Sequence, residues 1–370
     1  MHQTEVAIVG AGPIGIELAV ALQRAGVSHQ QIEAGQVGST FQWYAPGTFF
    51  FSSPERIAIS GVPIVNTIQT KTTREEYLAY LRGVVEQFDL PIRTYTRVTS
   101  IQPQSGGGFV LELQRSHHGV GGPGDVEQPA RGSESAPAVD ALRADKVVLA
   151  IGNLHRPRLL GIPGERLGHV THYLADPHEY FRNRVVIIGG KNSAVEAAIR
   201  LFRVGCDVTI SYRGERFAEK QVKYWLLPEL KHLIKKGRIG FLPQTVPVEI
   251  TGECVRLASV GATEEASVSH EVPADFVLVL TGYLQDSTLF EQAGVVLEGE
   301  RRIPTHDPQT METNVSGLYV AGTATSGTHL GRALEFIETA HVHVDRIVAA
   351  LTGDKPPERS HRPDENFLEN

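Results

Sequence analysis

Residues 6–33, VAIVGAGPIGIELAVALQRAGVSHQQIE, decide the fold. Their first four residues predict a strand buried on both faces, and an apolar helix follows the glycines. Gly10, Gly12 and Gly15 have the spacing G-x-G-x-x-G: the first allows a tight turn, the second lets a pyrophosphate approach the backbone, and the third lets helix and strand pack closely. Glu33 ends a second short strand, where a carboxylate can accept ribose hydroxyls. The stretch therefore predicts a dinucleotide-binding βαβ unit.

A second pattern of this kind occupies residues 184–213, RVVIIGGKNSAVEAAIRLFRVGCDVTISYR. It again predicts an apolar strand, a glycine turn at Gly189–Gly190, a helix and a second strand. Lys191 stands in place of the second glycine of the fingerprint, and Ala194 in place of the third. Alanine still allows close packing, and the Lys191 ammonium can pair with nucleotide phosphates. We therefore predict a second dinucleotide-binding unit.

The residues that end the second unit's second strand favour NADP over NAD. The segment 211–216, SYRGER, has no acid in the ribose position and supplies Arg213 and Arg216. A carboxylate would repel a 2′-phosphate, whereas guanidinium groups bind it through paired hydrogen bonds. The alternative is that both arginines are simply solvated at a strand end. Two such units in one chain predict FAD in the first and NADPH in the second, so that hydride can pass between them.

The composition excludes several classes of function. The 370 residues suggest two or three domains, and the net charge of −7 argues against nucleic acid or an anionic membrane as the partner. No run of eighteen apolar residues and no basic N-terminal segment is present, so we expect no membrane-spanning helix, no secretion signal and a cytoplasmic location. Cys206 and Cys254 lie 48 residues apart, which excludes a CxxC pair or a zinc knuckle, and no metal site is predicted.

Two stretches outside these patterns have distinct compositions. Residues 35–55 are rich in aromatic residues, glycine and serine. Their aromatic side chains Phe41, Trp43 and Tyr44 form either a wall of a flavin pocket or the apolar anchor of a surface loop. Residues 116–140 are rich in Gly, Pro, Ser and Glu, which predicts an extended loop.

Strand ends and composition also predict the domain boundaries. We expect an FAD-binding domain in two parts (1–157 and 304–353), an NADPH-binding domain between them (158–303) and a disordered tail (354–370). The second part should contain a strand that ends at Gly322 and a helix from near Leu330. The predicted fold class is α/β, with two Rossmann-like dinucleotide-binding domains.

Several longer segments resemble a known family. They are TFFFSSPERIAI (48–59), VVIIGGKNSAVEAA (185–198), VTISYRGERF (208–217), WLLPEL (225–230), LTGY (280–283), METNVSGLYVAG (311–322) and FIET (336–339). Residues 1–353 resemble the YpdA-type bacillithiol-disulfide reductases, which are thioredoxin-reductase-like flavoproteins with two dinucleotide-binding domains. We also expect a homo-oligomer, most simply a dimer.

The resemblance implies which residues bind the cofactors. FAD is expected at Gly10, Gly12, Pro13, Ile14, Gly15, Glu33 and Ala34. NADPH is expected at Gly189, Gly190, Lys191, Asn192, Ser193, Arg213 and Arg216. The residues expected to flank the cofactors at strand ends are Gly152, Gly282, Gly322 and Thr323.

Two departures limit what the resemblance implies about the reaction. The family carries a cysteine just before the third glycine, and here that residue is Ile14, which cannot form a mixed disulfide. The CxxC of thioredoxin reductase is also absent. Thr323 replaces the acid that commonly follows the last glycine in the wider superfamily, but the YpdA-type group lacks that acid too. Disulfide reduction through an enzyme thiol is therefore not expected.

Three functional classes remain open. The expected one is an NADPH-dependent flavoprotein oxidoreductase that passes electrons through FAD to a low-molecular-weight disulfide, a quinone or an iron–sulfur protein. The alternative is a flavin monooxygenase: residues 38–47 and 162–173 are similar to that group's tryptophan loop and F-x-G-x-x-x-H linker, although Gly168 occupies the histidine position. The third is a non-catalytic nucleotide sensor. No catalytic residue is assigned, and His329 and His341–His343 are candidate proton donors.

Overall fold

In a computed structural model, the chain forms two compact units. The structure describes residues 2–66, 70–115, 139–219, 222–261, 268–328, 330 and 334–355. Most of the predicted loop at 116–140, nearly all of the predicted tail and His329 lie outside these residues. Among the described residues, the first unit comprises those within 2–42, 47–156 and 283–355, and the second comprises those within 43–46 and 157–282.

The first unit is built around a seven-stranded sheet. Its strands, numbered along the chain, are β1 (His2–Val9), β2 (His29–Ile32), β3 (Ile92–Arg93), β4 (Thr96–Pro103), β5 (Phe109–Arg115), β6 (Val139–Leu149) and β19 (Leu318–Val320). Their order is β3-β2-β1-β6-β5-β4, and β19 pairs with β6. Strands β2, β1, β6 and β19 run parallel. The apolar run Val6–Val9 is buried, as expected for a central strand of a parallel sheet.

The helices of the first unit begin at the residues that their sequences favour. They are α1 (Pro13–Arg24), α2 (Ser39–Gln42), α3 (Pro54–Ile57), α4 (Arg74–Gln87), α7 (Thr288–Gln292) and α8 (Ile337–Thr352). Pro13 occupies the first turn of α1, where its missing N–H costs nothing. Thr73 and Glu76 form a reciprocal capping box at the start of α4. Strands β17 (Leu297–Glu298) and β18 (Ile303–Pro304) pair antiparallel and form a short hairpin.

The second unit contains a parallel sheet and a smaller antiparallel one. The parallel strands are β8 (Val170–Thr171), β9 (Arg184–Ile188), β10 (Asp207–Tyr212), β11 (Gly240–Pro243) and β15 (Phe276–Val279), in the order β11-β10-β9-β15-β8. The antiparallel strands are β12 (Thr245–Ile250), β13 (Cys254–Ser259) and β14 (His270–Pro273). Two helices, α5 (Asn192–Arg203) and α6 (Leu227–Lys235), belong to this unit. Strands β7 (Arg156–Pro157) and β16 (Tyr283–Leu284) lie where the chain passes from one unit to the other.

The second unit is shorter than the sequence predicts. It ends at Gly282, whereas the predicted NADPH-binding domain extends to residue 303. Residues 283–303 join the first unit because Phe290, in α7, is fully buried in that unit's core beside Val98 and Ile101 of β4. Burial of an aromatic side chain in one core fixes the unit to which its helix belongs.

The last helix begins later than predicted. Helix α8 starts at Ile337 rather than near Leu330, because Thr339 Oγ1 accepts a hydrogen bond from Phe336 N–H at 3.0 Å and closes the first turn there. Among the described residues, no helix has the length and apolar character needed to cross a membrane.

Candidate functional site

Three loops of the first unit begin at one edge of its sheet. The ends of β1, β6 and β19 lie side by side in register. The chain continues from them into the turns that contain Gly10, Gly152 and Gly322. In open parallel sheets, ligands bind beyond the carboxyl ends of the strands. The fold therefore brings Gly10, Gly152 and Gly322, which are far apart in the sequence, to the carboxyl edge of one sheet.

The three glycines of the fingerprint have different surroundings. Gly10 has φ +110°, and a Cβ there would lie 2.4 Å from the carbonyl oxygen of Ala150. A Cβ on Gly15 would lie 2.2 Å from the carbonyl oxygen of Gly10. A Cβ on Gly12 would have no other atom within 4 Å, and Gly12 is the N-cap of α1. The space before this helix N-terminus is therefore open, which fits a bound pyrophosphate.

Glu33 holds the glycine turn to the end of β2. Its buried carboxylate accepts hydrogen bonds from Ala11 N–H at 2.7 Å, Gly35 N–H at 2.7 Å and Ser39 Oγ at 3.1 Å. Burial raises the pKa of Glu33, and these three bonds oppose that effect. A carboxylate offers about four acceptor positions, so a ribose hydroxyl as a fourth donor stays a prediction. Ala34 follows at the same turn and is half-buried.

Ile14 faces the last of the three loops. Its side chain is 6% exposed, and its Cβ lies 3.5 Å from the position of a Cβ on Gly322, which has φ +71°. Thr323 Oγ1 lies 3.7 Å from the position of a Cβ on Gly152. The structure thus places these four predicted residues of the first site together.

His343, one of the candidate proton donors, supports the same loop. The backbone N–H of Gly322 donates to His343 Nδ1 at 3.2 Å. Burial lowers the pKa of His343 to about 3, with smaller contributions from Arg346, His306 and His341. His343 is therefore neutral near pH 7, and its proton lies on Nε2 because Nδ1 accepts. The sequence offers no signal for this contact.

The glycine turn of the second unit is shaped by an aromatic ring. Gly189 has φ +147°, and a Cβ there would lie 2.5 Å from the carbonyl oxygen of Leu280. A Cβ on Gly190 would lie 2.3 Å from the ring of Tyr212, the last residue of β10. Tyr212 stacks in turn on Phe217, with ring centroids 5.6 Å apart. Both glycines are therefore required by close approach.

The start of α5 carries three polar residues that the sequence assigns to NADPH binding. Lys191 is the N-cap residue, and Asn192 and Ser193 form the first turn. Asn192 Oδ1 accepts a hydrogen bond from Lys223 N–H at 2.8 Å, and Ser193 is exposed. Burial lowers the pKa of Lys191, and the charges of Arg213 and Arg158 lower it further. Arg158 was not identified from the sequence.

The two predicted 2′-phosphate ligands differ in their surroundings. Arg213 lies close enough to Lys191 to affect its titration. The Arg216 side chain is 86% exposed and lies 3.5 Å from Glu215. A third predicted residue, Gly282, has φ +105°, and its carbonyl oxygen accepts a hydrogen bond from Arg158 N–H at 2.9 Å. Both arginines are exposed, and it is the position of Arg213 near Lys191 that leads us to expect a larger contribution from Arg213 than from Arg216 to nucleotide binding.

Glu165 fixes the chain just after Arg158. Its carboxylate accepts hydrogen bonds from Leu160 N–H and Gly161 N–H, both at 2.8 Å, and lies 3.2 Å from His172 Nε2. Burial would raise the pKa of Glu165, but the bonds from Leu160, His172 and Gly161 outweigh it and the pKa is lowered. The carboxylate thus anchors the start of the second unit.

Replacement of Glu165 by alanine should destabilise this segment. We expect Glu165→Ala to lower the free energy of unfolding by about 2–4 kcal/mol, because two backbone N–H groups lose their acceptor. Urea denaturation at pH 7 measures this difference.

Glu165→Gln is the control for the charge. Since the folded-state pKa of Glu165 is lowered, the charge stabilises the protein above the ordinary value of 4.5 and this stabilisation is lost as pH falls through the folded-state pKa. The stability difference between wild type and Glu165→Gln should therefore shrink on acidification. A difference independent of pH would contradict a role for the charge.

Both cysteines lie in the second unit and are not joined. Cys206 is buried, its Sγ donates to the carbonyl oxygen of Tyr180 at 3.0 Å, and burial raises its pKa to about 11. Cys254 is partly buried in β13, with its Sγ 3.4 Å from Thr251 Oγ1. A thiol with a raised pKa is a poor nucleophile.

The aromatic residues of the 35–55 stretch are divided between the units. Phe41 is buried in the first unit, where its ring packs edge-on against Phe50 and Tyr77 at 5.2 Å in each case. Trp43 and Tyr44 belong to the second unit. Burial raises the pKa of Tyr44 to about 12, and Glu196 of α5 adds to the effect. A role in a flavin pocket stays a prediction.

Comparison with known proteins gives one family and several relatives. The profile of the family described as "Pyridine nucleotide-disulphide oxidoreductase" matches residues 7–118 and 133–322. Bacilliredoxin reductase Bdr of Bacillus subtilis (strain 168) is 30% identical over 351 residues, covering 95% of this chain and 98% of the relative.

Two solved structures show the same architecture. Bacillithiol disulfide reductase Bdr (YpdA) from Bacillus cereus has a TM-score of 0.83 and 29% identity, covering 95% of this chain and 99% of that one. Thioredoxin reductase from T. acidophilum has a TM-score of 0.67 and 23% identity, with coverage of 95% and 99%. The predicted thioredoxin-reductase-like fold with Rossmann-type domains and the predicted family resemblance are confirmed.

Proposed function

This chain belongs to the pyridine nucleotide-disulphide oxidoreductase family, and on that premise we propose that it passes electrons from NADPH through FAD to an external acceptor without a redox thiol of its own. It is an oxidoreductase, and FAD and NAD(P)H are its cofactors. The proposal adds three points to this: FAD is bound by the first unit, NADPH rather than NADH is bound by the second, and transfer to the acceptor is direct.

The absence of a thiol at position 14 carries the proposal. Ile14 is buried against Gly322, in the loop cluster that we assign to FAD. Cys206 and Cys254, the only cysteines of the sequence, belong to the second unit, and the pKa of Cys206 is raised by burial. Aliphatic side chains form no mixed disulfide. An acceptor would therefore take electrons from the cofactor itself.

The residues of the first unit bind and orient the flavin cofactor. FAD, when bound, supplies two-electron chemistry between a nicotinamide and an acceptor. The helix N-terminus behind Gly12 would hold the pyrophosphate, and Glu33 would accept a ribose hydroxyl. The Nδ1 of His343 accepts the hydrogen bond of Gly322 N–H and thereby supports the loop beside Ile14.

The acceptor is a small molecule or a small redox protein. A low-molecular-weight disulfide, a quinone and an iron–sulfur protein all remain candidates. Relatives named for bacilliredoxin and for bacillithiol disulfide support a disulfide or a disulfide-containing protein. A screen of flavin reoxidation after reduction by NADPH would identify the class.

Anaerobic titration with NADPH tests direct transfer. We expect the flavin to be fully reduced by a single equivalent of NADPH, because FAD is the only two-electron centre in the proposal. The double variant Cys206→Ser/Cys254→Ser should keep NADPH-driven reduction of the flavin and of artificial quinones within about threefold of wild type, allowing for packing losses at a buried cysteine.

Two outcomes would contradict this mechanism. One is the consumption of a second equivalent of NADPH together with the reduction of a protein disulfide. The other is a collapse of quinone reduction in the double variant while its flavin content is unchanged. Oxygen consumption stoichiometric with an organic substrate would instead indicate the monooxygenase alternative, and failure of NADPH to bleach the flavin would indicate a nucleotide sensor.

A further inference from the structure

Arg158 lies at the carboxyl edge of the second unit's parallel sheet, where we expect the nucleotide. In the sequence it precedes β9, the strand that leads into the Gly189 turn, by 26 residues. Its backbone N–H donates to the carbonyl oxygen of Gly282 at 2.9 Å, and its own carbonyl oxygen accepts from Thr281 Oγ1 at 2.8 Å. Residues 281–282 follow β15, whose end pairs in register with the end of β9. The backbone of Arg158 is therefore fixed at the same carboxyl edge as the Gly189 turn.

Hydrogen bonds also hold the chain just after Arg158. The Glu165 carboxylate binds the backbone N–H groups of Leu160 and Gly161. The backbone at and after Arg158 is thus already ordered, so binding a ligand through this residue costs little further backbone entropy.

The side chain of Arg158 adds to a concentration of positive charge. Arg158 and Arg213 both lie close enough to Lys191 to lower the pKa of its ammonium. Among the described residues, neither arginine forms an ion pair with a carboxylate, whereas Arg216 pairs with Glu215. Each arginine repels the Lys191 ammonium, and an anion bound beside Lys191 relieves that repulsion.

We propose that Arg158 is a specificity-determining residue that binds the 2′-phosphate of NADPH together with Arg213 and Lys191. A phosphate monoester carries about two negative charges and three acceptor oxygens, which several cationic donors can share. NADH lacks this group and would leave the repulsion in place. The inference rests on the proposed NADPH preference and adds to it a residue and a division of roles: Arg158 and Arg213 recognise the phosphate, and Arg216 does not.

Binding of adenosine phosphates to the flavin-loaded protein tests the proposal without turnover. The two probes are 2′,5′-ADP, which carries the 2′-phosphate, and 5′-AMP, which does not. Calorimetric titration of Arg158→Gln should show 2′,5′-ADP bound about ten- to hundredfold more weakly, the range for loss of a charge-assisted hydrogen bond. Binding of 5′-AMP should change by less than about threefold. Arg238→Gln is the matched control: Arg238 is exposed and precedes β11, at the opposite end of the sheet from the Gly189 turn, so this variant should bind both probes like wild type.

The outcomes separate this inference from the proposed function. If Arg213→Gln loses affinity for 2′,5′-ADP while Arg158→Gln binds it like wild type, Arg158 is not a ligand and the inference fails, but the NADPH preference stands. Equal weakening of both probes by Arg158→Gln would also overturn it, because the residue would then serve the rest of the nucleotide. If wild type binds 5′-AMP as tightly as 2′,5′-ADP, the NADPH preference itself fails.

Discussion

Replacement of Gly12 by valine should give a folded but colourless protein. A Cβ at this position would meet no protein atom within 4 Å, and Gly12 has an ordinary extended conformation with φ −76°. The valine side chain would instead occupy the open space before α1, where the pyrophosphate has to approach the backbone. We therefore expect unchanged folding and loss of FAD, measured by the flavin absorbance of the purified protein and by circular dichroism.

Gly106→Val is the matched control for this variant. Gly106 lies in an exposed turn of the same unit, and a Cβ there would also meet nothing within 4 Å. It should therefore keep the flavin. Gly15→Val is unsuitable, because a Cβ at Gly15 would collide with the carbonyl oxygen of Gly10 and disturb the fold itself. A yellow Gly12→Val protein with stoichiometric flavin would show that FAD does not bind at this turn.

Arg213→Gln should remove much of the preference for NADPH over NADH. The charged hydrogen bond from Arg213 to a 2′-phosphate is worth on the order of 1.5–3 kcal/mol, so kcat/KM for NADPH should fall about ten- to hundredfold. The value for NADH should change by less than about threefold, because NADH has no group for this arginine to bind. Steady-state kinetics with both nucleotides and a quinone acceptor measure the two effects.

Arg216→Gln provides the comparison for Arg213→Gln. It removes the same charge two residues beyond Gly214, from a side chain that is 86% exposed and paired with Glu215. Glu215 offsets the charge of this guanidinium, and Arg216 is not among the charges that act on Lys191, so kcat/KM for NADPH should stay within about threefold of wild type. An equal fall for NADPH and NADH in Arg213→Gln would mean that the arginine has only a structural role.

The sequence by itself determined the features that depend on short stretches of chain. The central strand at Val6–Val9, the turn at Gly10 and the close contact at Gly15 follow from one fingerprint, because each involves atoms within a single βα turn or its neighbouring strand. The Thr73 capping box is equally local. The family resemblance and the two-unit architecture also follow from such stretches.

Only the tertiary structure decided which distant residues meet these turns. Arg158 reaches the carboxyl edge of the second unit's parallel sheet through bonds to residues 281–282, and His343 reaches Gly322 from within α8. The end of the second unit at Gly282 likewise depends on burial of Phe290 in the core of the first. No local pattern encodes these contacts, because they are set by the packing of whole strands and helices, and hydrophobic burial is not directional.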